Sequence, residues 1–171
     1  MTLEEAEILV EGLIFAALKP IKAKEIAQII DLDAKTVAAL VQRIKERYAK
    51  GALLIKEVAG GYQMVTRPEL APWIEKMGRP VINAPLTLAS TETLAIIAYE
   101  EPITKAAIEE IRGVRSDSAL NSLLERELIR ELGRKEAPGR PILYGVTEKF
   151  LQHFGLKSLD ELPLQGISNW K

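Results

Sequence analysis

The order helix, short helix, helix, β-hairpin is written twice along this chain, and no other feature restricts the fold as much. The fuller copy runs over residues 92–145, from ETLAIIAYEEPITKAAIEEIRG to GRPILYG, and the earlier one over residues 3–66. Displacing the sequence by 82 residues lays Pro20-Ile21 on Pro102-Ile103, Ile26 on Ile108 and Ile29 on Ile111. Apolar positions that match in matching elements indicate a repeated architecture. Three helices closed by a two-stranded hairpin is the winged-helix plan, a helix-turn-helix variant. The expected fold is therefore α+β, mainly helical, with two winged-helix domains in tandem.

In the first copy, Thr2 and Glu5 have the spacing of a capping box, so a helix is expected from residue 3. Leu3, Ala6, Val10, Leu13, Ile14 and Ala17 form its core-side stripe. Ile8, Gly12 and Phe15 fall elsewhere on the helical wheel. A helix apolar on two sides needs a second cover, either another subunit or a later segment of the same chain. Lys19-Pro20 stops the helix. A short helix follows with Ile26, Ala27, Ile29 and Ile30 inward, then a third, capped by Asp33, with Val37, Leu40, Val41, Ile44 and Tyr48 inward and Gly51 at its end. Residues 52–58 and 62–66 have strand composition, and Gly60-Gly61 offers the positive φ of a tight hairpin. Residues 69–77 add one or two helical turns.

In the second copy Ser90 is the expected N-cap, with Glu92 in the first turn and Leu94, Ile97 and Ala98 inward. Gly113 turns the chain, and Ser116 or Asp117 caps a helix burying Ala119, Leu120, Leu123 and Leu124. Wing strands are expected over 128–133 and 142–146, with Pro138-Gly139 at the corner of a type II turn and Pro141 on an exposed strand edge. Thr147 caps a last helix carrying Phe150, Leu151 and Phe154, Gly155 ends it, and Ser158 with Glu161 caps a final turn. The expected domains are 1–79 and 89–157, joined by a short linker over 80–88 and followed by a tail over 158–171.

Catalytic and metal chemistry find no constellation here. His153 is the only histidine and there is no cysteine, which leaves no metal-ligand set, thiolate or Ser–His–Asp arrangement. Beside two phenylalanines, His153 is expected as a half-buried packing residue. Glu100-Glu101 and Glu109-Glu110 are neighbours in sequence only, since adjacent helix residues point apart. No cofactor is implied. The chain opens with no basic leader and holds no membrane-length apolar run, so a soluble, unexported protein is expected.

Charge bears on nucleic acid. The net charge is −1, and the parts on either side of Pro85 carry +1 and −2. Proteins that bind through phosphate neutralisation usually show a basic excess. Third helices of this fold commonly enter the DNA major groove. Here they offer Lys35, Gln42, Arg43, Lys45, Arg47 and Lys50 against Glu46, and Arg115, Asn121 and Arg126 against Asp117, Glu125 and Glu127. A tandem winged-helix transcriptional regulator is therefore the alternative reading. Protein recognition is favoured, centred on the second wing and last helix, where Arg134, Lys135 and Arg140 accompany Tyr144, Phe150, Leu151 and Phe154. Arginine beside aromatic and apolar anchors is a common interface composition.

Two long motifs carry a resemblance: ETLAIIAYEEPITKAAIEEIRGVRSD at 92–117 and LLERELIRELGRKEAPGRPILYGVTEKFLQHFGL at 123–156. Over residues 3–156 the chain resembles the segregation and condensation protein B family, tandem winged-helix accessory subunits of prokaryotic SMC complexes. Glu101 stands where that family often has glutamine. The resemblance implies a non-enzymatic homodimer paired through the N-terminal domain, with Ile8, Gly12 and Phe15 at the dimer surface. It implies a C-terminal domain that grips the middle of the kleisin subunit, segregation and condensation protein A, through Arg140, Pro141, Tyr144, Phe150, Leu151 and Phe154. The SMC ATPase would be reached through the kleisin, and DNA contact would be indirect or weak. The implied setting is cytoplasmic, at the nucleoid through the SMC complex, in chromosome condensation and segregation.

Overall fold

Both halves of the Thr2–Glu5 capping box form in the computed structural model: Thr2 N–H donates to Glu5 Oε2 at 2.7 Å, and Glu5 N–H donates to Thr2 Oγ1 at 3.2 Å. Helix α1 (Leu3–Ala16) starts there. The structure describes residues 1–78 and 85–163. The chain divides into two compact units, Met1–Ile82 and Asn83–Lys171. Residue 79, most of the expected linker (80–84) and most of the expected tail (164–171) lie outside the described residues.

The first unit continues with α2 (Ala23–Ile30), α3 (Ala34–Arg47), and the antiparallel strands β1 (Leu53–Val58) and β2 (Gly61–Thr66). A 3₁₀ turn at Pro68–Leu70 and the short α4 (Ala71–Glu75) follow. Asp33 caps α3, accepting from Thr36 N–H at 2.9 Å; hydrogen bonds from Thr36 hold its carboxyl below the usual range. The core is wholly aliphatic, built from Ala6, Val10 and Ile14 of α1, Ile26 and Ala27 of α2, Val37, Leu40, Val41 and Ile44 of α3, and Ile55 of β1. Ile29, expected inward, is 60% exposed, and Leu3 is also exposed. Helix α2 is only two turns long, and Ile26 with Ala27 fills its contact with the core. The end of α3 is closed by Arg67, whose side chain donates to the carbonyls of Tyr48, Ala49 and Gly51, rather than by Gly51 itself.

The first hairpin turns at Ala59 (φ 50°) and Gly60 (φ 70°), not at Gly60-Gly61. Gly61 serves a different need. Ile21 and Tyr62 exchange two backbone hydrogen bonds of 3.0 and 2.8 Å, which brings the chain after α1 across β2. A Cβ on Gly61 would lie 2.9 Å from the Pro20 carbonyl carbon and 3.0 Å from backbone atoms of Ile21. Gly61→Ala should therefore destabilise the unit by about 1–3 kcal/mol, the usual cost of forcing extra atoms into a packed site. A lowered urea midpoint checks this, and an unchanged one would mean the Pro20–Ile21 segment yields freely.

The second unit holds α5 (Leu88–Glu100), β3 (Ile103–Thr104), α6 (Lys105–Arg112), α7 (Asp117–Glu125), β4 (Ile129–Arg134), β5 (Ile142–Val146), α8 (Glu148–Phe154) and a closing 3₁₀ turn at Leu159–Glu161. Thr87, not Ser90, caps α5, and Ser90 is buried within its first turn. Glu92 consequently lies beyond that turn and pairs with Arg112 at 3.0 Å. The strand order is β3-β5-β4, antiparallel throughout. Ile103 pairs with Tyr144 just as Ile21 pairs with Tyr62, and both residues are displaced by the same 82 positions. Ile26 and Ile108 are both fully buried. The repeat is thus one of backbone pairing as well as of apolar pattern.

The wing turn forms at Pro138-Gly139, with Gly139 at φ 79° and Arg140 N–H donating to the Ala137 carbonyl at 2.9 Å. Pro141 is not on an exposed edge. It is half-buried and leads into β5, the central strand, where its carbonyl accepts from Lys135 N–H at 2.9 Å. Thr147 caps α8, and Gly155 (φ 65°) ends it. The core joins Leu94, Ile96 and Ile97 of α5, Ile108 of α6, Leu120 and Leu123 of α7, and Ile129, Tyr144, Val146 and Phe150. Both expected winged-helix domains are present.

Candidate protein-binding surfaces

On α1, the face turned from the core carries Ile8 at 61% and Phe15 at 72% exposure, with Gly12 exposed between them. They line a hollow of about 370 Å³ with Glu11, Tyr48, Leu53 and Met64, all in the first unit. Its one acidic group is tethered: Tyr48 Oη–H and the Arg47 guanidinium both donate to Glu11. The bond to Glu11 also raises the Tyr48 pKa above its ordinary value. An apolar floor with its carboxylate already neutralised costs little to dehydrate, which suits a protein interface. Leu9 (46% exposed) and Leu18 (98%) extend the apolar surface. The helical spacing does not single them out: Leu9 lies off the Ile8–Gly12–Phe15 line, and Leu18 lies beyond the end of α1 at Ala16.

The basic residues of α3 are largely committed. Arg43 and Arg47 both pair with the buried Glu7 of α1, and Arg47 also holds Glu11. Lys45 pairs with Glu57 at 2.8 Å and lies 5.7 Å from the Tyr62 ring centre. Lys35, Gln42 and Lys50 remain exposed. In the second unit Lys105 pairs with Asp117 at the start of α7, holding that carboxyl below the usual range and raising the lysine's own pKa. Arginines held by internal carboxylates have less charge to offer a phosphate backbone, whose recognition depends on uncompensated cations.

The six residues expected at the kleisin surface do not form one patch. Tyr144 and Phe150 are 8% and 3% exposed and belong to the core, so their side chains are not available at the surface. Burial also pushes the Tyr144 phenol up. Arg140 and Pro141 stand at the wing tip, before β5, whereas Leu151 and Phe154 follow its far end on α8. Arg140 is exposed, with its carbonyl accepting from Arg134 Nη1 at 3.0 Å. Leu151 is half-buried against the core; Phe154 is 48% exposed, its ring 4.9 Å from that of Phe150. His153 is exposed rather than half-buried and meets the Phe154 ring edge-on at 5.0 Å, because it lies on the solvent side of α8. Leu132, 44% exposed beside the bulge in β4, was not legible, since the bulge displaces it from strict alternation.

Among the described residues no group of three or more His, Cys, Asp or Glu side chains could hold a metal ion, and no helix is long and apolar enough to cross a membrane. Comparison with known proteins decides the family. The model of the segregation and condensation complex subunit ScpB matches residues 8–165. The chain belongs to the ScpB family. Its ScpB relatives include Segregation and condensation protein B of Symbiobacterium thermophilum, 48% identical over 95% of this chain and 75% of the relative. That of Moorella thermoacetica is 50% identical over 90% and 79%. Among solved structures the chain is similar to ScpB from Mycobacterium tuberculosis, at 30% identity over 91% of this chain and 98% of that one, with a TM-score of 0.44. It is also similar to a dimer of an ScpB N-terminal domain complexed with ScpA peptide, at 23% identity over 44% and 96%, with a TM-score of 0.42.

Proposed function

We propose that this chain is a non-enzymatic adaptor subunit of an SMC–kleisin complex that supports chromosome condensation and segregation. Two copies pair through the outer face of α1, with Ile8, Gly12 and Phe15 at the contact. The second unit grips the kleisin, segregation and condensation protein A, and through it reaches the SMC ATPase. The observation that carries the reading is the α1 face, apolar and exposed in a chain whose family is that of a complex subunit. For the kleisin surface, Arg140, Pro141, Leu151 and Phe154 remain candidates, joined by Leu132; Tyr144 and Phe150 support them from the core. The setting is cytoplasmic, with association to the nucleoid through the complex.

Titration with the kleisin of the same genome, at two salt concentrations, tests this. An affinity that changes little between about 50 and 200 mM salt is expected, whereas a phosphate-driven interaction would lose orders of magnitude over that range. Duplex DNA in place of the kleisin should bind weakly or not at all. Tight, steeply salt-dependent binding to duplex, with none to the kleisin, would favour a transcriptional regulator instead.

A further inference from the structure

Ile8 lies four residues before Gly12 and Phe15 three after it, so the three follow one line along the outer face of α1. Side chains stand out at both ends of that line, 61% and 72% exposed. The middle is bare: a Cβ on Gly12 would meet nothing within 4 Å. A ridge, a gap and a ridge fit a second copy of themselves when that copy is turned end for end about a two-fold axis at the gap. The absent side chain then lets the two helix backbones approach closely. Phe15 of each copy comes beside Ile8 of the other, over the hollow that Tyr48, Leu53 and Met64 help to line.

Charge decides the direction of the pairing. Glu4 stands one turn before Ile8, and Lys19 follows Phe15 just beyond the helix end at Ala16. Both are exposed, with no ion pair among the described residues. They flank Gly12 almost equally, eight residues before and seven after. An antiparallel crossing therefore sets Glu4 of each copy against Lys19 of the other and places opposite helix-dipole ends together. A parallel crossing would set Glu4 against Glu4, Lys19 against Lys19 and like dipole ends side by side. The remaining carboxylates here leave the match intact. Glu5 is bound into the Thr2 capping box, and Glu11, which comes near the axis in both copies, is held by Arg47 and Tyr48.

Resting on the α1 pairing proposed above, we infer that two copies cross α1 antiparallel at Gly12, each Phe15 seated in the other's hollow and each Glu4 facing the other's Lys19. Gly12 is then the residue that permits the pairing, and the two charges set its direction. Sedimentation of the full chain across a range of concentrations tests this. Gly12→Leu fills the gap in both copies and should weaken dimerisation at least about 100-fold. The same variant should raise the urea midpoint, since leucine favours helix over glycine and its Cβ meets nothing in the free chain. Lys19→Glu should weaken dimerisation about tenfold, and adding Glu4→Lys to it should restore the wild-type affinity. A wild-type chain that stays monomeric would overturn the α1 pairing and this geometry together. A wild-type dimer left intact by Gly12→Leu would overturn the crossing alone, and a double variant no tighter than Lys19→Glu would overturn its direction.

Discussion

Replacing Phe150 by alanine should destabilise the second unit by about 3–5 kcal/mol, the usual cost of emptying a buried aromatic site. The side chain is 3% exposed and packs in one cluster with Ile97, Ile108, Leu123 and Val146. Its position is set by the Thr147 cap, whose hydroxyl accepts from Phe150 N–H at 3.2 Å while donating to the Glu127 carbonyl at 2.6 Å. The helix is therefore pinned to the strand region and cannot easily shift to fill the hole. The expected readout is a melting temperature for this unit lowered by more than about 10 °C. By contrast, Phe154→Ala, at 48% exposure, should leave melting nearly unchanged and weaken kleisin binding. Unaltered melting with lost kleisin binding in Phe150→Ala would return Phe150 to the interface.

Phe15→Glu should convert the protein from dimer to monomer. In the free chain the side chain is 72% exposed, so a carboxylate there is solvated and unfolding should change by no more than about 0.5 kcal/mol. In the paired state the same carboxylate would face the apolar floor around Ile8 and Met64, beside Glu11, whose charge is already met by Arg47 and Tyr48. An unpaired buried charge costs several kcal/mol, and two copies carry it together, so dimer dissociation should strengthen by at least about 100-fold. Sedimentation at micromolar concentration checks this. A variant that unfolds would instead indicate that a later part of the same chain covers this face.

How far the sequence could be read depended on whether the deciding contact was local. The caps at Thr2, Asp33 and Thr147 and the turns at Gly113 and Pro138-Gly139 depend on residues within four positions of each other, and all formed as expected. The repeat was visible because Pro20 and Pro102 punctuate matching helices. Ser90 and Thr87 are equally competent caps; Thr87 takes the role while Ser90, one turn inside, is buried at 3% exposure. Ile29 shares the helical face of Ile26, but in an eight-residue helix the width of the buried stripe is set by the neighbours. Tyr144 beside arginines has the composition of an interface, yet it occupies the middle of a three-stranded sheet whose order no local pattern specifies. The pairing of Arg112 with Glu92 emerges only when α5 and α6 are packed together.

The central claim is that this chain is a dimeric holder of a kleisin, and its mass in solution tests that most directly. Size-exclusion chromatography with light scattering, run on the chain alone and mixed with the kleisin, should give about 38 kDa, twice the 19.0 kDa of one chain, then a heavier stable complex. A 19.0 kDa species that stays unshifted at concentrations well above a micromolar Kd, about −8 kcal/mol of binding, would contradict both halves of the account.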